Sequence, residues 1–250
     1  MTADPLLELA KNCALEAGKL LNTRHHNLLE VNSDSGHDLK LRADKEAEKL
    51  IRRIIASHSA FPILGEEMGN GSSNLMSGTH WIIDPLDGTA NYSRGNPCSC
   101  VSVALWKDLQ PTIGVIYNFS TDEMLTGSTE AKCAYLNGKK LETSGVKERS
   151  KAIYATGFPI SMNLDQDSQS RFFDKVKTFK KIRMIGSAAL SLAFVATGAF
   201  DVYEEESIYL WDVAAGLALV KAAGGSIDFQ FTEFDKFILN ARASATEALA

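Results

Sequence analysis

The sequence predicts a mixed α+β and α/β protein in which two amphipathic helices lead into a mostly antiparallel sheet, followed by a unit of alternating strands and helices. Three patterns in the 250 residues support this. Apolar residues recur at helical spacing near the N-terminus, short segments between 99 and 119 alternate in polarity, and strand-like and helix-like segments take turns from 152 onward. Apolar residues make up 45% of the chain, enough to bury a sizeable core.

Leu6, Ala10, Cys13, Ala17 and Leu20 fall on one helical face, with Asp4-Pro5 as the start signal. A second helix is expected from about Asp44, with Ala47, Leu50, Ile51, Ile54 and Ile55 as its buried stripe. His80 to Ile83 is short and apolar between turn residues, as a buried strand ending at Asp84 would be. Ser99 to Leu105 and Thr112 to Phe119 alternate like paired strands, and Asn137-Gly138 is a hairpin turn signal. In the second half, strands are expected at Ala152 to Thr156 and Asp201 to Glu204. Helices are expected at Arg171 to Lys180, Ser187 to Thr197 and Val213 to Ala223, the last closed by Gly224-Gly225 before two short strands. This β-α alternation suggests a three-layer unit. The division falls near Thr143 to Ser150: 1–145 is an N-terminal α+β half with the acidic motifs, and 146–250 a C-terminal α/β half that completes the site. Two polar loops, Asn70 to Thr79 and Ser161 to Ser170, are placed to move over a site.

The net charge of −5 argues against a nucleic-acid partner, which would favour a basic stripe. The stretches Lys175-Val176-Lys177 and Lys180-Lys181 read as the solvated face of a helix. No apolar run reaches the roughly 18–20 residues of a membrane span, and Met1 to Leu9 lacks a basic leader, so a cytoplasmic protein is expected. Cys13, Cys98, Cys100 and Cys133 form no C-x-x-C pair and read as reduced thiols. The five histidines lack zinc-site spacing. An acidic protein that handles phosphates needs cations.

Carboxylates cluster at three places: Gly65-Glu66-Glu67, Asp84-Pro85-Leu86-Asp87-Gly88-Thr89, and Trp211-Asp212. In the middle segment a tight turn can aim Asp84 and Asp87 at one point, while apolar Leu86 offers a backbone carbonyl. Gly88 permits close backbone approach, and a helix beginning at Gly88-Thr89 would turn free N–H groups toward an anion. Carboxylates and a carbonyl suit a hard cation such as Mg2+. Taken singly these segments have plainer readings, since Asp-Pro-x-Asp-Gly is a good turn and both Asp44 and Asp212 are good helix caps. Their conjunction and order favour a site.

The set Leu64-Gly65-Glu66-Glu67, then Trp81 through Tyr92, then Trp211-Asp212-Val213-Ala214-Ala215-Gly216 resembles the inositol monophosphatase family, with Ala43-Asp44 upstream and Gly186-Ser187-Ala188-Ala189 between. The resemblance spans nearly the whole chain. It implies a layered α-β-α-β-α sandwich of the sugar-phosphatase type, usually a homodimer, and a Mg2+-dependent, lithium-sensitive phosphatase with two or three ions per site. By resemblance, Glu66, Asp84 and the Leu86 carbonyl hold one metal, and Asp84, Asp87 and Asp212 a second. Asp44 and Thr89 would activate the attacking water. Asp87, Gly88, Thr89, Gly186, Ser187, Ala188 and Glu205 would bind substrate. The expected reaction is hydrolysis of inositol 1-phosphate, with fructose 1,6-bisphosphate, histidinol phosphate or a nucleotide bisphosphate as rival substrates and a regulatory binding module as the non-enzymatic alternative. The chain departs from the family pattern in three places. Val31 to His37 lacks a lysine that some members carry, although Lys40 lies close by; Ser93-Arg94-Gly95-Asn96 follows Tyr92; and Glu204-Glu205-Glu206-Ser207 is unusually acidic. These bear on lithium sensitivity and substrate choice.

Overall fold

Among the described residues two large sheets alternate with three layers of helix, and a third sheet has two strands only. The computed structural model describes residues 4–24, 26–35, 38–70, 77–158 and 165–250. In chain order the elements are α1 (Pro5–Asn22), β1 (Val31–Ser35), β2 (Asp38–Leu41), α2 (Arg42–Ala56), β3 (Ile63–Gly65), β4 (Gly69–Asn70), β5 (Thr79–Asp87), α3 (Thr89–Arg94), β6 (Cys100–Lys107), β7 (Gln110–Asn118), β8 (Glu123–Ser128), β9 (Cys133–Leu136) and β10 (Lys139–Lys140). Then come β11 (Ile153–Ala155), α4 (Gln166–Val176), β12 (Lys181–Arg183), α5 (Ala188–Ala196), β13 (Val202–Tyr209), α6 (Leu210–Ala222), β14 (Ser226–Glu233) and β15 (Ile238–Ser244). The larger sheet runs β10-β9-β8-β7-β6-β5-β3-β4, the smaller β12-β11-β13-β15-β14. The larger is antiparallel except where β3 lies parallel to β5.

Alternation along β5 to β7 divides the core. Trp81, Ile83, Val101, Val103 and Val115 pack under α1 and α2, whereas Ile82, Ala104, Trp106 and Ile116 pack against α5 and α6. Both faces of the sheet are covered, so β5 is buried along nearly its whole length. Helices α5 and α6 lie between the two sheets and are apolar on every side, as a helix buried all round must be. Trp106 ties the sheet to α6 through a bond from its Nε1–H to the Ala214 carbonyl at 3.1 Å. On the far side of the smaller sheet, Phe172 and Val176 of α4 pack with Tyr154, Phe179, Val202 and Leu249. The order is therefore α-β-α-β-α, five layers where the second half alone suggests three. Every strand of the larger sheet precedes residue 141 and every strand of the smaller follows 152, while α5 and α6 pack against both.

Local chemistry explains most element ends. Asp4 accepts the Leu6 N–H at 2.9 Å ahead of Pro5. Asn137 and Gly138 both have positive φ in the β9–β10 turn, as do Asp108 and Leu109 in the β6–β7 turn. Several bounds differ from expectation. β5 does not stop at Asp84 but runs to Asp87, with a register shift against β6 between them. Pro85 is tolerated there because β3 ends opposite Ile83 and claims no N–H beyond it. α2 begins at Arg42, so Asp44 lies inside its first turn, and Leu50 and Ile54 are only partly buried while Glu48 takes a place in the buried stripe. α4 starts earlier, capped by Asp165, and Lys180-Lys181 belong to a turn and β12 rather than to a helix. β13 extends to Tyr209, and α6 starts at Leu210 with no side-chain cap, so Asp212 is not its cap. β8 lacked any sequence signal recognised above. Cys13 and Cys100 are buried, Cys98 and Cys133 only partly, and all four are free thiols. Residues 71–76 and 161–164 of the two loops expected to move lie outside the described residues, and the second is not a loop throughout, since Gln166 to Ser170 form the start of α4. Among the described residues no helix is long and apolar enough to cross a membrane.

Gly114 sets the spacing between β7 and α6, because a Cβ there would collide with the Ala215 carbonyl and lie 2.9 Å from the Ala218 Cβ. Backbone cannot yield as a flexible side chain does. Gly114→Ala is expected to lower unfolding free energy by about 1–3 kcal/mol, read as a shifted midpoint at unchanged slope in urea denaturation.

Candidate active site

The irregular end of β5 carries the central carboxylates. The Asp84 side chain folds back to accept the Leu86 N–H at 3.0 Å, which fixes the turn through Pro85. Gly88 follows with φ of 84°, and a Cβ there would lie 2.6 Å from the Cys98 carbonyl. This left-handed residue directs the chain into α3. The Thr89 hydroxyl then lies 2.9 Å from Asp44 Oδ1 and 3.0 Å from the Leu86 carbonyl, and its one proton serves one acceptor at a time. Asp44 Oδ2 accepts the Leu41 N–H at 2.8 Å, closing the start of α2. Two residues 45 apart in sequence thus meet in a hydrogen bond.

Glu48, one turn after Asp44, organises the next segment. It is fully buried and its carboxylate accepts the Glu67 N–H at 2.8 Å, the Met68 N–H at 3.1 Å and Arg52 Nε–H at 2.8 Å. These bonds hold the turn that presents Glu66. Gly65 is needed beside it, since a Cβ would press on the Glu48 carboxylate at 2.5 Å. Lys40 Nζ sits 2.7 Å from Glu67 Oε1 and 3.4 Å from Glu66 Oε1.

Asp87 joins the two halves. Its Oδ2 accepts from the Ser187 hydroxyl and from the Ala189 N–H at 2.9 Å, at the N-terminus of α5, and the Cys100 thiol lies 3.8 Å away. Asn91 of α3 adds a second tie, its Nδ2–H group reaching the carbonyls of Cys98 and Ile185 at 2.8 Å and Gly186 at 3.1 Å. Glu205 on β13 accepts the Tyr203 hydroxyl at 3.0 Å and packs so closely on Gly157 that a Cβ there would overlap its carboxylate. β13 is irregular just after Glu205, where Ser207 has φ of 53°. Asp212 projects from the first turn of α6.

A cavity of about 490 Å³ collects these groups, with Glu66, Asp87, Gly186, Ser187, Ala188, Glu205 and Asp212 in its wall. Asp44, Asp84, Leu86, Gly88 and Thr89 are not in that wall; Asp44, Leu86 and Thr89 are joined to one another by hydrogen bonds, and Asp84 to Leu86. Sequence reasoning missed Glu48, Gly157, Phe158 and Tyr209, and it gave no role to Asn91 or Trp211, although both lie in the quoted motifs. Glu48 had a usable signal, a charge four residues after Asp44 on the buried side of a helix; Phe158 and Tyr209 had none beyond composition.

The carboxylates raise one another's pKa. Asp84 is held well above the usual range by burial, then by the charges of Glu66, Asp87 and Asp212. Asp212 is raised by burial and by Glu66, Asp87 and Glu205. Burial pushes Asp87 up to about 6 against the Ser187 and α5 donors, which oppose the rise. Burial likewise brings Asp44 to about 7, and Glu205 to about 7. Such mutually repelling hard oxygen donors fit a divalent cation, which would let all of them ionise together. As the side chains stand, no three His, Cys, Asp or Glu among the described residues are gathered closely enough to share an ion, and Asp87 Oδ2 is occupied by α5.

A five-layer sandwich with an acidic cavity at the irregular strand ends defines a sugar-phosphatase type of protein. The inositol monophosphatase family matches residues 2–246, and the chain belongs to that family, whose members are phosphomonoester hydrolases and generally metal-dependent. It is similar to the Nus factor SuhB of Xylella fastidiosa, 39% identical over 233 residues that cover 90% of this chain and 82% of that protein. It is 35% identical to inositol monophosphatase 3 of Solanum lycopersicum over 99% of this chain and 94% of that one. The solved inositol monophosphatase of Anabaena (Nostoc) sp. PCC 7120 superposes with a TM-score of 0.82 at 33% identity, covering 96% of this chain and 90% of that chain.

Glu48→Ala removes the acceptor of the Glu67 and Met68 N–H groups and one of the partners of Arg52. The expected loss is about 3–5 kcal/mol of stability, because one partner of a buried pair is removed, and equilibrium urea unfolding reads it.

Proposed function

We propose that the chain hydrolyses inositol 1-phosphate to inositol and phosphate with Mg2+. The observation that carries this reading is that one cavity is walled both by carboxylates of the acidic motifs and by Glu205. Glu66, Asp84, Asp87, Asp212 and the Leu86 carbonyl would hold two or three ions. Bound Mg2+ supplies positive charge against the phosphate oxygens and acidifies water.

The protein's own groups handle the proton and the alcohol. With its proton directed at Asp44 Oδ1, the Thr89 oxygen keeps a lone pair to accept from the attacking water. As water adds to phosphorus and the P–O bond to the alcohol breaks, a water proton passes to Thr89 Oγ1 while Thr89's own proton moves to Asp44; the alcohol oxygen leaves with the bonding pair and takes a proton from solvent water, and Asp44 returns its proton to solvent. A carboxylate titrating near 7 suits that transfer at neutral pH. No covalent intermediate is required. The N–H groups at Gly88 and Thr89 face the phosphate, and Gly186, Ser187 and Ala188 line the ring. Glu205 has lone pairs beyond the one Tyr203 uses, and these accept ring hydroxyls. The family resemblance supports a lithium-sensitive, cytoplasmic homodimer acting on a small phosphomonoester, with no nucleic-acid or membrane partner. Retention of every acidic position favours catalysis over a binding module.

Thr89→Ala and Asp44→Asn are expected to act as one unit. The double variant should be little slower in kcat than the poorer single one, and fully additive losses would dissolve the pair. Glu205→Gln should lose roughly 10- to 150-fold in kcat/KM on inositol 1-phosphate, the worth of a charge-assisted bond, and almost nothing on p-nitrophenyl phosphate. Equal losses on both, or a wild-type preference for fructose 1,6-bisphosphate or histidinol phosphate in the same assay, would remove the inositol assignment.

A further inference from the structure

Lys40 is the one basic side chain among the described residues of the cavity wall, which otherwise presents Glu66, Asp87, Glu205 and Asp212. Its place is fixed from both directions. Its backbone lies on β2, paired to Ser33, with α2 starting two residues later. Its ammonium is anchored on Glu67, whose side chain is only 1% exposed and whose N–H is held by Glu48. Anchored there, the charge lies 3.4 Å from Glu66 Oε1, whose side chain is 20% exposed. A buried Glu67 carboxylate requires a cation, and the geometry makes that cation serve Glu66 as well.

A positive charge at that distance from a carboxylate does two things. It stabilises the ionised form while no divalent ion is bound, and it repels any divalent ion that approaches the same oxygen. We propose that Lys40 is a resident counter-cation of Glu66, a positioning residue that holds the acidic cavity together without metal and raises the Mg2+ concentration needed to fill the Glu66 end. This rests on the reading of Glu66 as a metal ligand.

The test is calorimetric titration of Mg2+ into the metal-stripped full chain without substrate. Lys40→Met should bind Mg2+ on the order of ten times more tightly than wild type at low salt, with the difference narrowing at high salt. Lys40→Arg keeps the charge and should stay within about two-fold of wild type. Without metal, Lys40→Met should melt lower than wild type, and saturating Mg2+ should recover more of its Tm, as tighter binding to the folded state requires. Glu67 loses its partner in that variant, so Lys40→Met is also measured on a Glu67→Gln background, where it should again tighten Mg2+ binding relative to Glu67→Gln alone. Unchanged or weaker binding in both backgrounds would overturn the inference, as would Lys40→Arg behaving like Lys40→Met. Glu66→Gln separates the two levels. If it weakens Mg2+ binding while Lys40→Met changes nothing, only the role of Lys40 falls. If it leaves Mg2+ binding intact, the reading of Glu66 as a ligand falls, and the role of Lys40 with it.

Discussion

Like charges confined in a poorly solvated space repel strongly, and around Asp84 the fold gathers Glu66, Asp87 and Asp212 within electrostatic reach of one another. Each element near the cavity contributes something that makes this tolerable. β5 turns its own Leu86 N–H onto Asp84; α5 turns its N-terminus onto Asp87; β2 sends Lys40 to Glu67 and Glu66. The carboxylates remain raised in pKa despite these donors, so the protein alone compensates the repulsion only in part. Incompletely matched charges of this kind accord with the metal dependence general to the family.

The donors arrive from different depths of the sandwich, which explains the arrangement of glycines and of irregular strand. Gly65 and Gly157 remove Cβ atoms that would strike Glu48 and Glu205, and Gly88 permits the turn from strand to helix. The register shifts in β5 and β13 fall beside Asp87 and Glu205. In both strands regular pairing is given up where a side chain has to be aimed into the cavity rather than across the sheet.

Glu66, Asp87 and Asp212 of the cavity wall were legible in the sequence as carboxylates next to apolar strands, each separately ambiguous, whereas Glu205 and Gly186-Ser187-Ala188 came only through the family resemblance. Asp44 and Thr89 could be paired only through the family resemblance, since no spacing rule links residues 45 apart. Element existence was legible where periodicity was strong, as in α1 and β6. Bounds were missed where tertiary packing overrode local signals. β5 continues past Pro85 because no neighbour needs that N–H, and α6 starts three residues early because Leu210 is buried between the sheets. Glu48 escaped notice because a charge in an apolar stripe counts against burial until its three donors are seen. The five-layer order was not visible in periodicity, for α5 and α6 look apolar on all sides whether one sheet or two cover them.

Asn91 and Asp87 reach the Ile185–Ala189 segment across roughly a hundred residues of chain. A ribosome that has released only the first half has made the whole Asp84–Thr89 motif, yet Asp87 then has no helix to cap and Asn91 no loop to hold. Such long-range closures come late in folding, because the entropy of the intervening chain must be lost before the contact forms. The newly made protein therefore passes through a stage in which the Asp84–Thr89 motif is made and the cavity is not. Activity is a report that the last third of the chain has docked.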